Sequence, residues 1–237
     1  RDLLLFNANN EEIDRANYQL AWYRDTEKED GGYSLERINL SEPCRGGDNW
    51  TVSIAANGGT PGEENSVNSN IPDTTPPSAT TIFVQDSTHL QVVFSESLSA
   101  LSAIMAEISV NPEIGIVTVD GVEPEFNSVI IELASPLQSG VTYTISLIGF
   151  LDCVGNESTD TQTLNFGLPQ HAEIGDILIN EVLFYPQTGG SDFVEVVNVS
   201  DKIISLQGWA LQNKDLTTRI ITANPVLIFP NAYLVFT

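Results

Sequence analysis

The 237 residues of this chain include 32 Asp and Glu against nine Lys and Arg, which gives a formal net charge of −23 at neutral pH. A surface this acidic argues against nucleic acid as a partner, because binding a polyanion requires Lys and Arg to displace its counterions. It disfavours anionic membrane surfaces for the same reason. Hydrophobic residues make up 41% of the chain, so the composition is that of a globular protein. No apolar run is long enough to span a bilayer.

The first 66 residues are predicted to form short strands separated by turns. The strand-like runs are residues 3–6, 13–18, 33–38 and 50–54. Gly-rich turn signals lie between them, for example at 30–32. Residues 67–79 follow with prolines and small polar side chains that cannot pack a core. This segment is predicted to be a stiff linker between domains.

Residues 80–168 carry seven strand-like runs at regular spacing. These runs are 81–85, 90–95, 107–110, 116–119, 128–133, 142–147 and 161–166. Apolar and polar residues alternate within 129–133, as in strands that are half-buried in a sandwich. Seven short strands in about 90 residues match the size of an immunoglobulin-like domain. A short helical turn is predicted within 98–106.

A second linker is predicted at 169–175, and strand-like runs return in 176–237. These runs are 176–185, 192–198, 203–211, 219–221 and 227–236. Trp209, Phe193, Leu211 and Val196 are expected to fill the core of this last unit. The predicted fold class is therefore all-β, with immunoglobulin-like β-sandwiches in series.

Both terminal segments carry motifs of one known family. Residues 179–183 (INEVL), 189–198 (GGSDFVEVVN), 205–211 (SLQGWAL) and 230–235 (PNAYLV) resemble, in order, the opening of a lamin tail domain. Residues 12–22, 32–38 and 49–62 resemble its later strands and ending. Residues 1–66 are thus similar to the C-terminal part of such a domain and 176–237 to its N-terminal part. The resemblance implies an immunoglobulin-like sandwich that occurs, in bacteria, in exported multidomain proteins.

The middle segment carries a different resemblance. Residues 73–77 (DTTPP), 92–96 (VVFSE) and 151–156 (LDCVGN) resemble the immunoglobulin-like domains of bacterial surface-layer and adhesin proteins. Together the two resemblances imply an exported protein at the cell surface, whose leader lies outside this chain.

A half sandwich at each end would expose apolar strands with unpaired edges, which invites pairing. The two halves can complement each other within the chain, or between chains as strand-exchanged self-association. Alternatively, the chain cuts through two neighbouring sandwiches of a tandem array.

Oxygen-bearing side chains are predicted to meet at one pole of the middle domain. In a seven-strand sandwich the first strand begins at the same end as the loop between the last two strands. This places Asp73 near Asp152, Asn156 and Glu157. Hard oxygen ligands suit calcium, and a bound ion would stiffen the junction. Alternatively, Asp152 and Asn156 bond to their own backbone in an Asx turn.

The two cysteines allow two outcomes. Cys153 lies in the same late loop and Cys44 lies just before the linker. A Cys44–Cys153 disulfide would clamp the two domains together. Because the geometric window for bridging is narrow, two free thiols are the alternative.

Catalytic constellations are not expected. Glu181 and Glu195 could suggest glycoside hydrolysis, but each lies in a strand pattern with apolar neighbours, which favours a role in hydrogen-bonding loops. His89 and His171 are far apart in sequence and lack metal-ligand spacing. The chain has no Gly-x-Ser-x-Gly, and its Gly-rich stretches lack the phosphate-loop lysine. No catalytic or cofactor-binding residue is predicted, and structural calcium is the one cofactor considered.

The predicted function is a non-enzymatic spacer, adhesion or scaffold module of an exported multidomain bacterial surface protein. One alternative is an accessory region of a secreted hydrolase or nuclease. Another is a carbohydrate-binding module that uses exposed aromatics such as Trp22, Tyr23 and Tyr185. The partner, protein or glycan, is not specified by the sequence, and neither nucleic acid nor membrane insertion is expected.

Overall fold

The computed structural model describes residues 2–41, 46–99, 102–123, 126–187, 189–212, 214, 218–220, 222 and 225–237. Regular structure in these ranges is almost entirely β, with eighteen short strands, one four-residue α-helix and two 3₁₀ turns. The all-β prediction is confirmed. Among the described residues, none belongs to a helix long and apolar enough to cross a membrane.

The N-terminal unit consists of two separate antiparallel hairpins. The first pairs β1 (Asp2–Phe6) with β2 (Glu12–Asn17), and the second pairs β3 (Leu35–Arg37) with β4 (Trp50–Val52). The two 3₁₀ turns are Leu20–Tyr23 and Gly46–Asn49. Val52 is the buried hydrophobic side chain found in the described part of this unit. The predicted strands are therefore present, but they enclose no hydrophobic core.

Residues 58–66, at the end of this unit, lie against β3 and the turn before it. Gly58, with a φ of +82°, approaches Gly32 so closely that a Cβ at Gly58 would lie 1.9 Å from the Gly32 carbonyl oxygen. This close approach requires glycine. After this close approach the chain passes beside β3. There the buried carboxylate of Glu36 accepts hydrogen bonds from the hydroxyls of Thr60 and Ser66. The segment just before the linker is thereby fixed to the N-terminal unit.

Residues 79–166 form a complete sandwich of seven strands. They are β5 (Ala79–Val84), β6 (His89–Phe94), β7 (Glu107–Asn111), β8 (Ile116–Gly121), β9 (Ser128–Leu133), β10 (Tyr143–Ile148) and β11 (Gln162–Phe166). One sheet has the order β5-β6-β9-β8 and the other β11-β10-β7. Lettered A to G along the chain, these sheets are ABED and GFC, the arrangement of constant-type immunoglobulin domains.

Alternation along these strands fills the space between the two sheets. Leu90, Val92, Val129, Ile131 and Ile145 are fully buried in this core. Because successive strand residues point to opposite faces, every second position is apolar. Each of the seven predicted strands is confirmed to within two residues at either end. The predicted helical turn is α1 (Ser102–Met105).

The C-terminal unit is a partial sandwich. Its larger sheet has the order β12 (Ile177–Leu183), β13 (Phe193–Asn198), β18 (Tyr233–Phe236). Two short ladders accompany it, β14 (Ile204–Ser205) with β17 (Leu227–Ile228) and β15 (Ala210–Gln212) with β16 (Thr218–Ile220).

The core of this unit is small and open at one end. Val196 is buried in it, and Trp209 packs against it as predicted. Phe193 and Leu211 are only half-buried and line an open cavity of about 550 Å³. The prediction of a filled core is therefore incomplete, because no described strand covers that end of the sheet.

The segment that follows the middle sandwich is hydrogen-bonded to the C-terminal unit. The Gln170 N–H donates to the Ile203 carbonyl oxygen at 2.8 Å. A Cβ at Gly167 would lie 2.3 Å from Ile203 Cδ1 and 2.8 Å from the Val141 carbonyl oxygen, so a larger residue there would press on both the Ile203 side chain and the sandwich backbone. By contrast, no sheet in the described part of the chain joins a strand of 2–66 to a strand of 176–237. Closure of the two terminal units within one chain is not seen here.

Candidate metal site at the first domain junction

Three carboxylates from distant parts of the sequence meet at the pole where the linker reaches the middle sandwich. Oxygen atoms of Asp73, Glu96 and Asp152 all lie within 4.8 Å of one another. Asp73 belongs to the linker, Glu96 follows β6, and Asp152 lies in the loop between β10 and β11.

Antiparallel pairing places these residues together. Ala79 at the start of β5 pairs with Phe94 at the end of β6, so Glu96 is carried towards the segment that leads into β5. Leu98 then forms an isolated antiparallel bridge with Asp152, which fixes the late loop against the same pole. The topology expected of a seven-strand sandwich is therefore what assembles the cluster.

Asp152 is the buried centre of the cluster, with 1% of its surface exposed. Its Oδ1 accepts hydrogen bonds from the backbone N–H groups of Val154, Gly155 and Asn156 at 2.9, 2.6 and 2.8 Å. The Asn156 Nδ2 donates to Asp152 Oδ2 at 2.7 Å and to the Asp73 carbonyl oxygen at 3.2 Å. The Asx-turn alternative is thus confirmed for Asp152, and the same contacts tie the loop to the linker.

The spacing of the three carboxylates suits a divalent cation. Calcium binds oxygen at 2.3–2.6 Å, so oxygens up to about 5 Å apart can share one ion. Three carboxylates at this separation also repel one another. None of the nine Lys and Arg residues of the chain lies between 67 and 168, so the middle sandwich supplies no basic side chain of that kind. A calcium ion would offset the repulsion with fixed oxygen ligands.

The predicted site residues divide into three groups. Asp73 and Asp152 belong to the carboxylate cluster, and Asn156 is bonded to both of them. Glu157 is not a member of the cluster; it is exposed, and its Oε1 lies 3.8 Å from where a Cβ at Gly149 would be. Glu96 was not predicted. Its signal was present, because a residue just past a hairpin strand lies beside the start of the partner strand.

The late loop also carries a disulfide. Cys153 is exposed and disulfide-bonded. Cys44 lies outside the described residues, so the pairing of Cys44 with Cys153 stays a prediction.

Glu181 and Glu195 are neighbours on adjacent strands. They are register partners in the β12–β13 ladder, and Asn180 Nδ2 donates to Glu195 Oε1 at 2.6 Å. They lie on the face opposite the one that buries Val196, since residues at odd spacing point to opposite faces. The bond of Glu195 is to a side chain of β12, a neighbouring strand, and not to a loop as predicted.

The histidines are placed as surface residues. His89 at the start of β6 lies with Nδ1 2.9 Å from Asp86 Oδ2. The backbone hydrogen bond from Thr88 and the side chain of His89 lower the pKa of Asp86 to about 2. His171 is exposed in the second linker. The contacts of Asp86 with Thr88 and His89 stabilise the connection between β5 and β6.

The aromatic residues proposed for glycan binding differ in availability. Trp22 stacks on Trp50 with 6.0 Å between ring centroids, and the Tyr23 hydroxyl donates to the Tyr33 carbonyl oxygen at 3.0 Å. Both are therefore engaged in packing. Tyr185 is 84% exposed beside Phe184, which is 70% exposed, with 5.1 Å between their ring centroids.

Comparisons with known proteins give structural likeness only. No protein-family model matches the chain, and no curated protein matches it. Similar solved structures include the N-terminal part of the bacterial S-layer protein SbsC, at 16% identity and a TM-score of 0.35, covering 68% of this chain and 44% of that one. Domains 1–6 of SbsC give 17% identity and a TM-score of 0.37, covering 66% of this chain and 26% of that one. The chain spans less than half the length of either structure.

Proposed function

We propose that the chain is a non-enzymatic structural module, which spaces or presents its neighbours within an exported, multidomain bacterial surface protein. The observation that carries the proposal is the pair of bonded junctions on the middle sandwich. Asn156 bonds to the linker at Asp73, and Gln170 bonds to Ile203 of the C-terminal unit. Asn156 thus holds the first linker against the sandwich, and Gln170 holds the second linker against the C-terminal unit. A filled sandwich whose two connecting segments are hydrogen-bonded in place is suited to keep its neighbours at a fixed separation.

Two further observations support an exported location. Cys153 is disulfide-bonded, and disulfides persist mainly in oxidising compartments outside the cytosol. The formal charge of −23 keeps a surface protein soluble and disfavours nucleic acid.

Calcium at Asp73, Glu96 and Asp152 is the second part of the proposal. An ion shared by the linker and two segments of the sandwich would stiffen the first junction. We expect calcium to raise the melting temperature of the chain at constant ionic strength, because an ion that binds only the folded state stabilises it. Differential scanning calorimetry over a calcium series, with sodium chloride compensating the ionic strength, measures this effect.

Two matched variants make the test specific. Glu96→Gln removes one charged ligand while keeping an oxygen acceptor, so it should abolish most of the calcium response. Glu157→Gln makes the same chemical change outside the cluster and should keep the full response. Equal responses of the two variants, or no response of the native chain at millimolar calcium, would rule out the calcium part.

The spacer part is tested separately by ¹⁵N relaxation. We expect the middle sandwich and the C-terminal unit to tumble with one rotational correlation time, because the second junction is bonded. Two clearly different correlation times would contradict the spacer proposal, whatever the calcium result.

Carbohydrate binding is the second candidate, and the exposed pair Phe184 and Tyr185 favours it. Exposed aromatic faces are suited to stack on sugar rings. A glycan array with the native chain should then show retention that Tyr185→Ala removes and Trp22→Ala leaves intact, since the Trp22 ring already packs on Trp50.

A further inference from the structure

The first strand is apolar on both faces and covered on neither. β1 carries Leu3, Leu4, Leu5 and Phe6 in succession, with Leu3 62% and Leu5 58% exposed. Successive residues point to opposite faces, and an unbroken apolar run is typical of a strand buried on both. In the described chain β1 pairs with β2 and with no other strand, so one of its edges is open as well.

The last strand offers an open edge without protection. β18 pairs with β13 along one side only in the described residues. Natural edges are usually blunted by a charge, a proline or a bulge. β12, the other edge of this sheet, has a register shift and Glu181, whereas β18 reads Tyr-Leu-Val-Phe with regular pairing. β18 is thus the edge of this sheet that can pair with a further strand.

The hydrogen-bonding direction of β18 follows from the ladder. Asn198 N–H donates to the Ala232 carbonyl oxygen, and Val197 pairs with Tyr233. Because bonded and non-bonded pairs alternate in an antiparallel ladder, Val235 and Tyr233 direct their N–H and C=O groups to the open edge.

The inward faces of the two strands match. Leu234 and Phe236 of β18 pack on the C-terminal core. Leu3 and Leu5 of β1 line a cleft with Leu35 and Trp50 of the second hairpin. If β1 extends the sheet beyond β18, these two inward rows become one, and β3–β4 covers the new part of the sheet.

We infer that a second copy of this chain binds at these surfaces: β1–β2 of one copy adds to the β18 edge of another. The exposed apolar strand β1 and the unprotected edge of β18 are complementary, and in the described chain neither pairs with the other. Each copy carries one surface of each kind, so the contact is head-to-tail and propagates from copy to copy.

Two variants block one surface each. Leu3→Lys with Leu5→Lys places charges on the β1 face that would be covered. Val235→Pro removes an N–H at the open edge of β18 and leaves the ladder to β13 intact, a position where proline is tolerated in strands. All three side chains are exposed, so the separate monomers should keep the native circular dichroism and melting temperature.

Analytical ultracentrifugation reads the outcome. The native chain should show mass that rises with concentration beyond the dimer. Each blocked variant alone should be monomeric. An equimolar mixture should form a 1:1 dimer and nothing larger, because the double lysine variant keeps the edge of β18 available and the proline variant keeps β1 available. Val117→Lys, at an exposed position of β8 in the middle sandwich, should associate like the native chain.

Other outcomes would overturn the inference. A native chain that stays monomeric at millimolar concentration lacks the contact. If a blocked variant dimerises alone, the contact joins identical surfaces instead of β1 and β18. If the mixture stays monomeric, β1 of one copy does not bind β18 of another. The readout is mass in calcium-free buffer, so its failure leaves the relaxation and calcium tests of the spacer role unaffected.

Discussion

At the scale of single residues, Glu36 shows how a buried charge can hold a returning chain segment in place. Burial raises the pKa of its carboxyl group, but hydrogen bonds from Ser66, Ser53 and Thr60 outweigh burial and hold the pKa below its ordinary value of 4.5. A lowered pKa means that ionised Glu36 stabilises the fold. This contribution is complete above the ordinary value and is lost as the pH falls through the lower value of the folded chain.

We therefore expect Glu36→Gln to destabilise the N-terminal unit at neutral pH by about 1.5–3 kcal/mol, the range for hydrogen bonds to a charged group. The deficit should shrink in acid, where the native carboxyl is itself protonated. Urea unfolding followed by tryptophan fluorescence measures it, since Trp22 and Trp50 lie in this unit. Glu29→Gln, at an exposed turn, should show neither effect. A deficit that does not depend on pH would contradict this account.

The positions of the residues at the candidate metal site show which contacts could not be predicted from the sequence. The topology of a seven-strand sandwich sufficed to bring Asp73 and Asp152 together. It did not exclude Glu157, because the direction of an exposed side chain in a tight loop depends on local backbone geometry. Glu96 was missed since its position follows from the register of the β5–β6 hairpin, which alternation alone does not fix.

At the scale of elements, the middle strands were predictable because each has five or six residues and one buried face. The two- and three-residue strands of the C-terminal unit were merged in the prediction: 203–211 contains both β14 and the start of β15. Strands this short show too little alternation to be separated. The exposure of the β1 side chains could not be predicted either. A sequence pattern indicates which side chains should be buried but not which part of the molecule covers them.

The loop that carries Cys153 allows a direct test of the predicted disulfide. Trypsin can cut after Arg37, Arg45 and Lys202 but nowhere between 46 and 201, where the chain has no Lys or Arg. After thiol blocking and digestion in urea, peptide 38–45 should remain attached to fragment 46–202 and separate only on reduction. Cys153→Ser should release the peptide without reductant. Free peptide 38–45 from the unreduced native chain would reject the pairing.

At the scale of the whole molecule, the charge of −23 makes folding sensitive to ionic strength. Self-repulsion among carboxylates opposes the compact state, and about 0.1 M salt reduces its range to ~10 Å. We expect the melting temperature to rise with sodium chloride in calcium-free buffer, as measured by calorimetry. A melting temperature that falls or stays constant would show that repulsion does not limit stability.

The two junctions also determine how the middle sandwich would carry load. β5 starts and β11 starts at the same pole, and the Gln162 amide at the start of β11 donates to the Pro77 carbonyl oxygen at 3.0 Å. An odd number of strands sends the chain out at the far pole. A pull on the two ends is then directed along the strands, so the rows of backbone hydrogen bonds are sheared together instead of being peeled apart one by one. We therefore expect the domain to resist tension that is applied along its strands.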